Sequence, residues 1–212
     1  MLLSKDFLSE FRDKLNFVYY LILSPAISLI FYIFNDSQNP LYLYFLTILI
    51  INFITNQRIS RQEISSQGEL ILINMPLDLS VFCLSKIIFT FLLNFVISFI
   101  TIAVFMLLAG GLFFENTNNF IIFSIFFSLG LSTILTTFSL MLERIKSEGQ
   151  FMMIMVYPLI IPFLVLSYNC LAQLNLLDFI PFVDTFSLQV LIAFDILLLA
   201  VCPILFSYSV RR

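Results

Sequence analysis

Six long apolar runs, separated by short polar segments, constrain the fold of this chain more than any other feature of its sequence. They cover residues 17–34, 41–55, 87–111, 120–142, 151–171 and 188–210. A helix needs roughly 17–25 apolar residues to cross the hydrocarbon core of a bilayer. The second run is on the short side, and further apolar residues from Val81 precede the third. We therefore predict an all-α polytopic membrane protein, a single domain of six transmembrane helices.

The overall composition supports this prediction. Hydrophobic residues make up 61% of the 212 residues and charged residues 11%, whereas soluble domains have about 45–50% and about 25%. This much apolar surface exceeds what one water-soluble core can bury.

The distribution of basic residues predicts the topology. All ten lysines and arginines fall before the first run, between the second and third, between the fourth and fifth, or after the last: Lys5, Arg12, Lys14, Arg58, Arg61, Lys86, Arg144, Lys146, Arg211 and Arg212. The other segments between runs contain no lysine or arginine. Their charged residues are all acidic: Asp36, Glu115, Asp178 and Asp184. Cytoplasmic segments carry the excess of positive charge, so we expect both termini on the cytoplasmic or matrix side.

The first 16 residues have the pattern of an amphipathic helix. Leu3, Phe7, Phe11 and Leu15 are four residues apart, and charged residues occupy the positions between them. Such a helix is typical of the membrane interface. No small-residue cleavage site follows the first apolar run, so we expect no cleaved signal peptide.

The longest polar interruption is the segment 56–86. Within it, Ser66 and Glu69 have capping-box spacing, and Pro76 ends the helix that they begin. The sequence thus predicts a short helix, Ser66–Met75, that docks onto another protein. The alternative is a helix lying flat at the lipid interface. We expect Asp78 or Ser80 to cap the next helix and Lys86 to extend its side chain to the inner surface.

The residue inventory excludes several kinds of chemistry. The chain has no histidine, its three cysteines form no C-x-x-C motif, and it has no phosphate-binding G-x-x-x-x-G-K-[ST] motif. We therefore predict no catalytic residue, no metal site and no directly bound cofactor. Any ATP hydrolysis must come from a partner.

Three polar residues inside the apolar runs are candidate functional or packing residues. Asp195 lies about a third of the way into the sixth run, and an intramembrane carboxyl group indicates a functional site by default. The alternative is a carboxyl group that is partly hydrated or neutral near the interface. Asn52 and Asn94 are expected to form hydrogen bonds between helices.

The fifth run contains two prolines four residues apart, Pro158 and Pro162. Each removes a backbone N–H from the helix and clashes with the preceding turn. The pattern predicts either a moving hinge or a static kink.

Together these features resemble the membrane subunits of type-2 ABC exporters, and among them the haem exporter protein B (CcmB) family of cytochrome c maturation. The length, the six predicted helices and the amphipathic N-terminal helix match that family, and the pair Pro158 and Pro162 resembles its fifth helix. The segment after the second run also matches, although the family usually separates the glycine from the following glutamate. Its matching residues are Glu63, Gly68, Glu69, Leu70–Ile73, Pro76 and Lys86.

The resemblance implies a role, a location and a set of partners. Glu63, Gly68, Glu69, Leu70, Ile71, Ile73 and Pro76 would couple the chain to a cytoplasmic ATPase subunit (CcmA-like). The remaining partners would be membrane subunits C and D, a haem chaperone (CcmE-like) and membrane lipid, in a bacterial or mitochondrial inner membrane. The complex, rather than this chain, would handle haem, because the commonest axial haem ligand is absent.

Two other interpretations fit the residues. One is the permease half of another type-2 exporter, which moves a lipid, a drug or a polysaccharide. The other is a non-catalytic structural subunit of a membrane complex that needs no ATPase, and such a subunit would not co-purify with a nucleotide-binding protein.

Overall fold

The computed structural model describes residues 14–34, 40–65, 78–109, 117–144, 149–174 and 182–211. Six helices make up nearly all of this part: α1 Lys14–Phe34, α2 Pro40–Ser65, α3 Leu79–Ala109, α4 Thr117–Arg144, α5 Gly149–Gln173 and α6 Phe186–Arg211. The fold of the described residues is all-helical, as predicted. The predicted interfacial helix up to residue 13 and the predicted docking helix Ser66–Met75 lie outside them.

Three of these helices are long and apolar enough to cross a membrane. Their apolar stretches are Leu79–Leu108 in α3, Asn118–Met141 in α4 and Phe186–Ser209 in α6. Apolar helices of this length match the thickness of the hydrocarbon core of a bilayer. They therefore suggest a membrane protein.

The six helices alternate in direction. Tyr44 bonds to Ser124, and Asn56 bonds to Thr136 twelve residues further along both helices, so α2 and α4 run parallel. Successive helices are antiparallel, because the end of one lies beside the start of the next. For example, Ser187 at the start of α6 donates to Gln173 at the end of α5. The first and last described residues therefore lie at the same end of the bundle.

The centre of the bundle is α4. Of its apolar stretch, 72% is buried, compared with 33% for α3 and for α6, and it packs against α2, α3, α5 and α6. It is also rich in small hydroxyl residues, which let neighbouring backbones approach closely. Those that are buried are Ser124, Ser128, Ser132, Thr133, Thr136 and Thr137.

The start of α3 agrees with one prediction and corrects another. The carbonyl of Asp78 accepts the backbone N–H groups of Val81 and Phe82, which places Asp78 at the N-cap. Lys86 does extend toward that end of the helix, but it does not reach the surface. Its side chain is 3% exposed, and its ammonium lies 5.5 Å from the centroid of the Phe82 ring. A cation is attracted to an aromatic face in this position.

The second helix is longer than predicted. The apolar run ends at Thr55, but α2 continues for ten more residues, through Arg58 and Arg61, to Ser65. Ile59 is buried, and the guanidinium of Arg58 lies 4.4 Å from the centroid of the Tyr19 ring of α1. Packing against α1 thus supports a helical conformation in a polar sequence that lies beyond the second apolar run.

Candidate functional site

A buried carboxyl group lies where α4, α5 and α6 meet. The side chain of Asp195 in α6 is 2% exposed, and neither of its oxygens has a hydrogen-bond partner among the described residues. Among the side chains whose burial the structure describes, it is the one buried acid. In this arrangement the neighbouring helices cover the carboxyl group, so it is not partly hydrated. The other form of that expectation, a neutral carboxyl group, stays a prediction.

A glycine in α4 makes room for this carboxyl group. A Cβ atom at position 130 would overlap both Oδ1 of Asp195 and the ring of Phe163 in α5. Only a residue without a side chain therefore lets α5 and α6 pack this closely against α4. Gly130 and Phe163 form two walls of the site.

A stack of phenyl rings continues from Phe163, which forms one wall of the site. Phe127 of α4 stacks on Phe163 with ring centroids 5.8 Å apart, and Phe163 in turn stacks on Phe194 of α6 at 6.5 Å. Phe123 extends the stack along α4, with its ring centroid 5.4 Å from that of Phe127. The wall that these rings form is apolar, and a negative charge on Asp195 would lose its hydration without gaining a hydrogen-bond partner among the described residues.

Lys86 of α3 is a buried cation on a helix that packs against α6. Phe82 of α3 stacks on Phe206 of α6, with ring centroids 6.4 Å apart, which aligns Lys86 with a part of α6 one to two turns beyond Asp195. One to two turns correspond to roughly 5–11 Å along the axis. The ammonium of Lys86 lies over the ring of Phe82, one turn nearer the start of α3.

A second polar cluster joins α2, α3 and α4. The hydroxyl of Thr136 donates to Oδ1 of Asn56 at 2.9 Å and lies 2.7 Å from the hydroxyl of Thr90. The other end of the Asn56 amide is fixed, because Nδ2 donates to the carbonyl of Asn52 at 2.8 Å. All three side chains are at most 1% exposed. We call Asn56, Thr136 and Thr90 the Asn56 network.

One turn away on each of these helices, toward the same end of the bundle, lie three more buried polar residues: Asn52, Ser132 and Asn94. The amide of Asn52 has no partner at either Nδ2 or Oδ1 among the described residues, and Nδ2 of Asn94 has none. The prediction that these two asparagines bond between helices is therefore wrong for those atoms. The asparagine that does so is Asn56, which we had assigned to the polar segment.

The structure disperses the other predicted site residues. Pro158 and Pro162 lie in α5 with exposed side chains, and the helix is continuous through both. Glu63 is in the last turn of α2. The remaining predicted coupling residues lie outside the described part of the chain: Gly68, Glu69, Leu70, Ile71, Ile73 and Pro76. Asp195 and Asn94 do not bond to each other, because neither Nδ2 of Asn94 nor the carboxyl oxygens has a partner.

Sequence analysis missed Gly130, Phe163 and the Asn56 network. One signal for Gly130 was present, since it is the single glycine inside an apolar run, apart from the pair that ends the third run. No comparable signal marks Phe163 among 27 phenylalanines.

The chemistry available to the site is narrow. No group of three or more histidine, cysteine or acidic residues that could hold a metal ion occurs in the described part of the chain. A lone carboxyl group among phenyl rings has no second acid for paired acid–base catalysis.

Comparison of the chain with protein-family models, with curated proteins and with solved structures finds no match.

Proposed function

We propose that this chain is a six-span membrane permease subunit of an ABC-type exporter, driven by ATP hydrolysis in a partner subunit. Its most specific form, implied by the resemblance, is the haem exporter protein B subunit, which acts in haem-chaperone release during cytochrome c maturation. In this proposal the termini and the segment 66–76 face the cytoplasm or matrix of a bacterial or mitochondrial inner membrane. Subunits C and D and the haem chaperone complete the complex, and the chain itself binds no cofactor.

The observation that carries this proposal is the Asn56 network. The helices α2 and α3 flank the segment 66–76, in which we predict the ATPase-docking helix. Asn56 of α2 and Thr90 of α3 both contact Thr136 of the central helix. A force applied to the docking helix would therefore reach α4 through both of its flanking helices.

The extension of α2 supports the same mechanism. Beyond the apolar run it continues as a helix for nearly three turns, and Arg58 packs on Tyr19 of α1. A helix transmits a push along its axis, whereas a flexible loop absorbs it. Rigid coupling of this kind suits a subunit that converts closure of a partner ATPase into helix movement.

The test is purification of the tagged chain in mild detergent, followed by identification of its partners and a haem spectrum. We expect a nucleotide-binding subunit to co-purify. Leu70→Asp and Ile71→Asp should abolish its retention, because an unpaired charge at a desolvated contact is strongly unfavourable. Gln67→Ala, a substitution on the polar side of the same predicted helix, is the matched control and should change little.

The outcomes separate the alternatives. A nucleotide-binding partner with subunits of a different exporter would replace the haem assignment and keep the mechanism. Full retention of the partner in both aspartate variants would show that Ser66–Met75 is not the docking helix. Absence of any nucleotide-binding partner from the wild-type complex would favour a structural subunit instead.

A further inference from the structure

In the part of the chain that the structure describes, no hydrogen-bond donor contacts the carboxyl group of Asp195 to neutralise a negative charge. Both oxygens lack a hydrogen-bond donor among the described residues, and the helices that cover the residue leave 2% of it exposed. A basic side chain on a partner subunit has no surface from which to reach it. An ionised carboxylate in such surroundings is strongly unfavourable.

The ionisable groups described on the surrounding helices do not offset the unfavourable free energy of an ionised Asp195. On α5, Cys170 lies within electrostatic reach of Asp195, and on α3 the buried groups are Cys83 and Lys86. The two thiols carry no positive charge, and the ammonium of Lys86 is directed at the Phe82 ring. On α4, the wall of the site is the backbone at Gly130.

A metal cation is a poor candidate for the missing partner. Hard cations take six or more oxygen ligands, whereas the described neighbours beside Gly130 and Oδ1 of Asp195 include the phenyl ring of Phe163, and neither carboxyl oxygen has a polar partner among the described residues. The hydroxyl of Ser167, one turn away on α5, donates to the carbonyl of Phe163. A proton needs no such ligand shell.

One wall of the site belongs to α5, a helix whose backbone hydrogen bonding is interrupted by two prolines. Phe163 directly follows Pro162, and Pro158 precedes it by one turn. Each proline removes one hydrogen bond from the helix ladder, so the backbone of α5 is weakest next to the carboxyl group. The opposite wall, α4, is the central helix and contains no proline.

We propose that Asp195 is a proton-binding site. It holds a proton while α5 packs against α4 and α6, and it releases that proton only when α5 moves away and water reaches the carboxyl group. The ligand is a single proton, exchanged with water, and no covalent bond other than O–H forms or breaks. The proposal does not depend on the identity of the partner ATPase or of the transported substrate.

Infrared spectroscopy of the purified full-length chain in lipid nanodiscs tests the first half. We expect the C=O stretching band of a protonated carboxyl group at pH 7, sensitive to D₂O, and its complete loss in Asp195→Asn. Asp184→Asn, which changes an exposed acid, should leave the band unchanged. A thermal midpoint of Asp195→Asn close to that of the wild type guards against misfolding of the asparagine variant. If the wild type shows no such band at pH 7, Asp195 is ionised and the proposal is wrong.

The reactivity of Cys170 tests the second half. This thiol is fully buried and becomes the single cysteine after Cys83→Ala and Cys202→Ala. Labelling by a small methanethiosulfonate reagent should accelerate with pH more steeply than in the same background with Asp195→Asn. In that variant only the ordinary ionisation of the thiol remains. Identical pH profiles in the two backgrounds would show that α5 does not respond to the proton.

Discussion

The Oδ1 atom of Asp195 lies against the backbone of α4 at Gly130, so closely that a β-carbon at position 130 would overlap it. The carboxyl group and the glycine come from helices that run parallel through the bundle. The two residues are complementary in packing, since the absence of a side chain at Gly130 leaves the space that Asp195 and the Phe163 ring fill.

Gly130→Ala should therefore destabilise the protein although alanine favours helices. Phe163 and Asp195 are both buried and have little room to move, and forcing extra atoms into a packed core typically costs about 1–3 kcal/mol. The measurement is the free energy of unfolding, or the thermal midpoint, in a fixed lipid–detergent mixture.

Two variants control this experiment. Gly149→Ala, at the first residue of α5, reports the effect of replacing a helical glycine away from the site. Gly130→Ala combined with Phe163→Leu should recover part of the loss, because the clash with the ring is relieved. A neutral or stabilising effect of Gly130→Ala alone would contradict the close packing at this site.

The sequence predicts the helices better than the site. Long apolar runs bounded by polar segments are strong signals, and all six appear as helices whose ends lie within a few residues of the predicted ones, apart from the start of α3 and the end of α2. The predicted end of α2 is too early because Asn56, Arg58 and Arg61 are polar. Packing of Arg58 against α1 supports the helical conformation of these residues. Polarity indicates solvent exposure in a single sequence, and it does not reveal a tertiary contact.

The site itself depends on how the helices are rotated and aligned. Placing Asp195 within a helix needed only local sequence, but its neighbours Gly130 and Phe163 belong to two other helices. The same limit explains the wrong choice of asparagine. Asn52 and Asn56 are one turn apart on one buried face, and which of them meets a threonine depends on the register between α2 and α4.

Asn56 and Asn52 form a matched pair for a second prediction. Asn56→Leu should destabilise the protein, because it removes the acceptor of Thr136, and interhelical hydrogen bonds are worth about 0.6–2 kcal/mol. Asn52→Leu should be neutral or stabilising, since neither polar atom of that amide has a partner among the described residues. Thermal unfolding of the two variants in the same lipid mixture gives the comparison.

Thr136→Val and Thr133→Val extend this test. Thr136 bonds across to α2, whereas the hydroxyl of Thr133 donates to the carbonyl of Leu129 within α4. Only the first should couple to Asn56→Leu in a double-mutant cycle. Equal losses for Asn52→Leu and Asn56→Leu would show that Asn52 also holds a partner.

The proposed topology predicts a simple labelling pattern. Single cysteines at Ser37 and Asn118, in a background without the native cysteines, should react with an impermeant thiol reagent added outside. Cysteines at Ser65 and Ser147 should react only after the inner face is opened, because the basic residues on those segments are retained on the cytoplasmic side. Labelling of Ser65→Cys from outside would overturn the six-span, N-inside arrangement.

The proline pair of α5 gives the last prediction. Pro158 and Pro162 are both exposed, so replacing them with alanine opens no cavity, and each substitution restores a backbone hydrogen bond. The double variant should be at least as stable as the wild type in thermal unfolding. If α5 moves to release the proton of Asp195, the variant should also lose transport activity and the additional pH-dependent labelling of Cys170. Pro203→Ala, in α6 and away from Phe163, is the control and should preserve that labelling. A double variant that keeps both activity and labelling would show that the two prolines only shape a static helix.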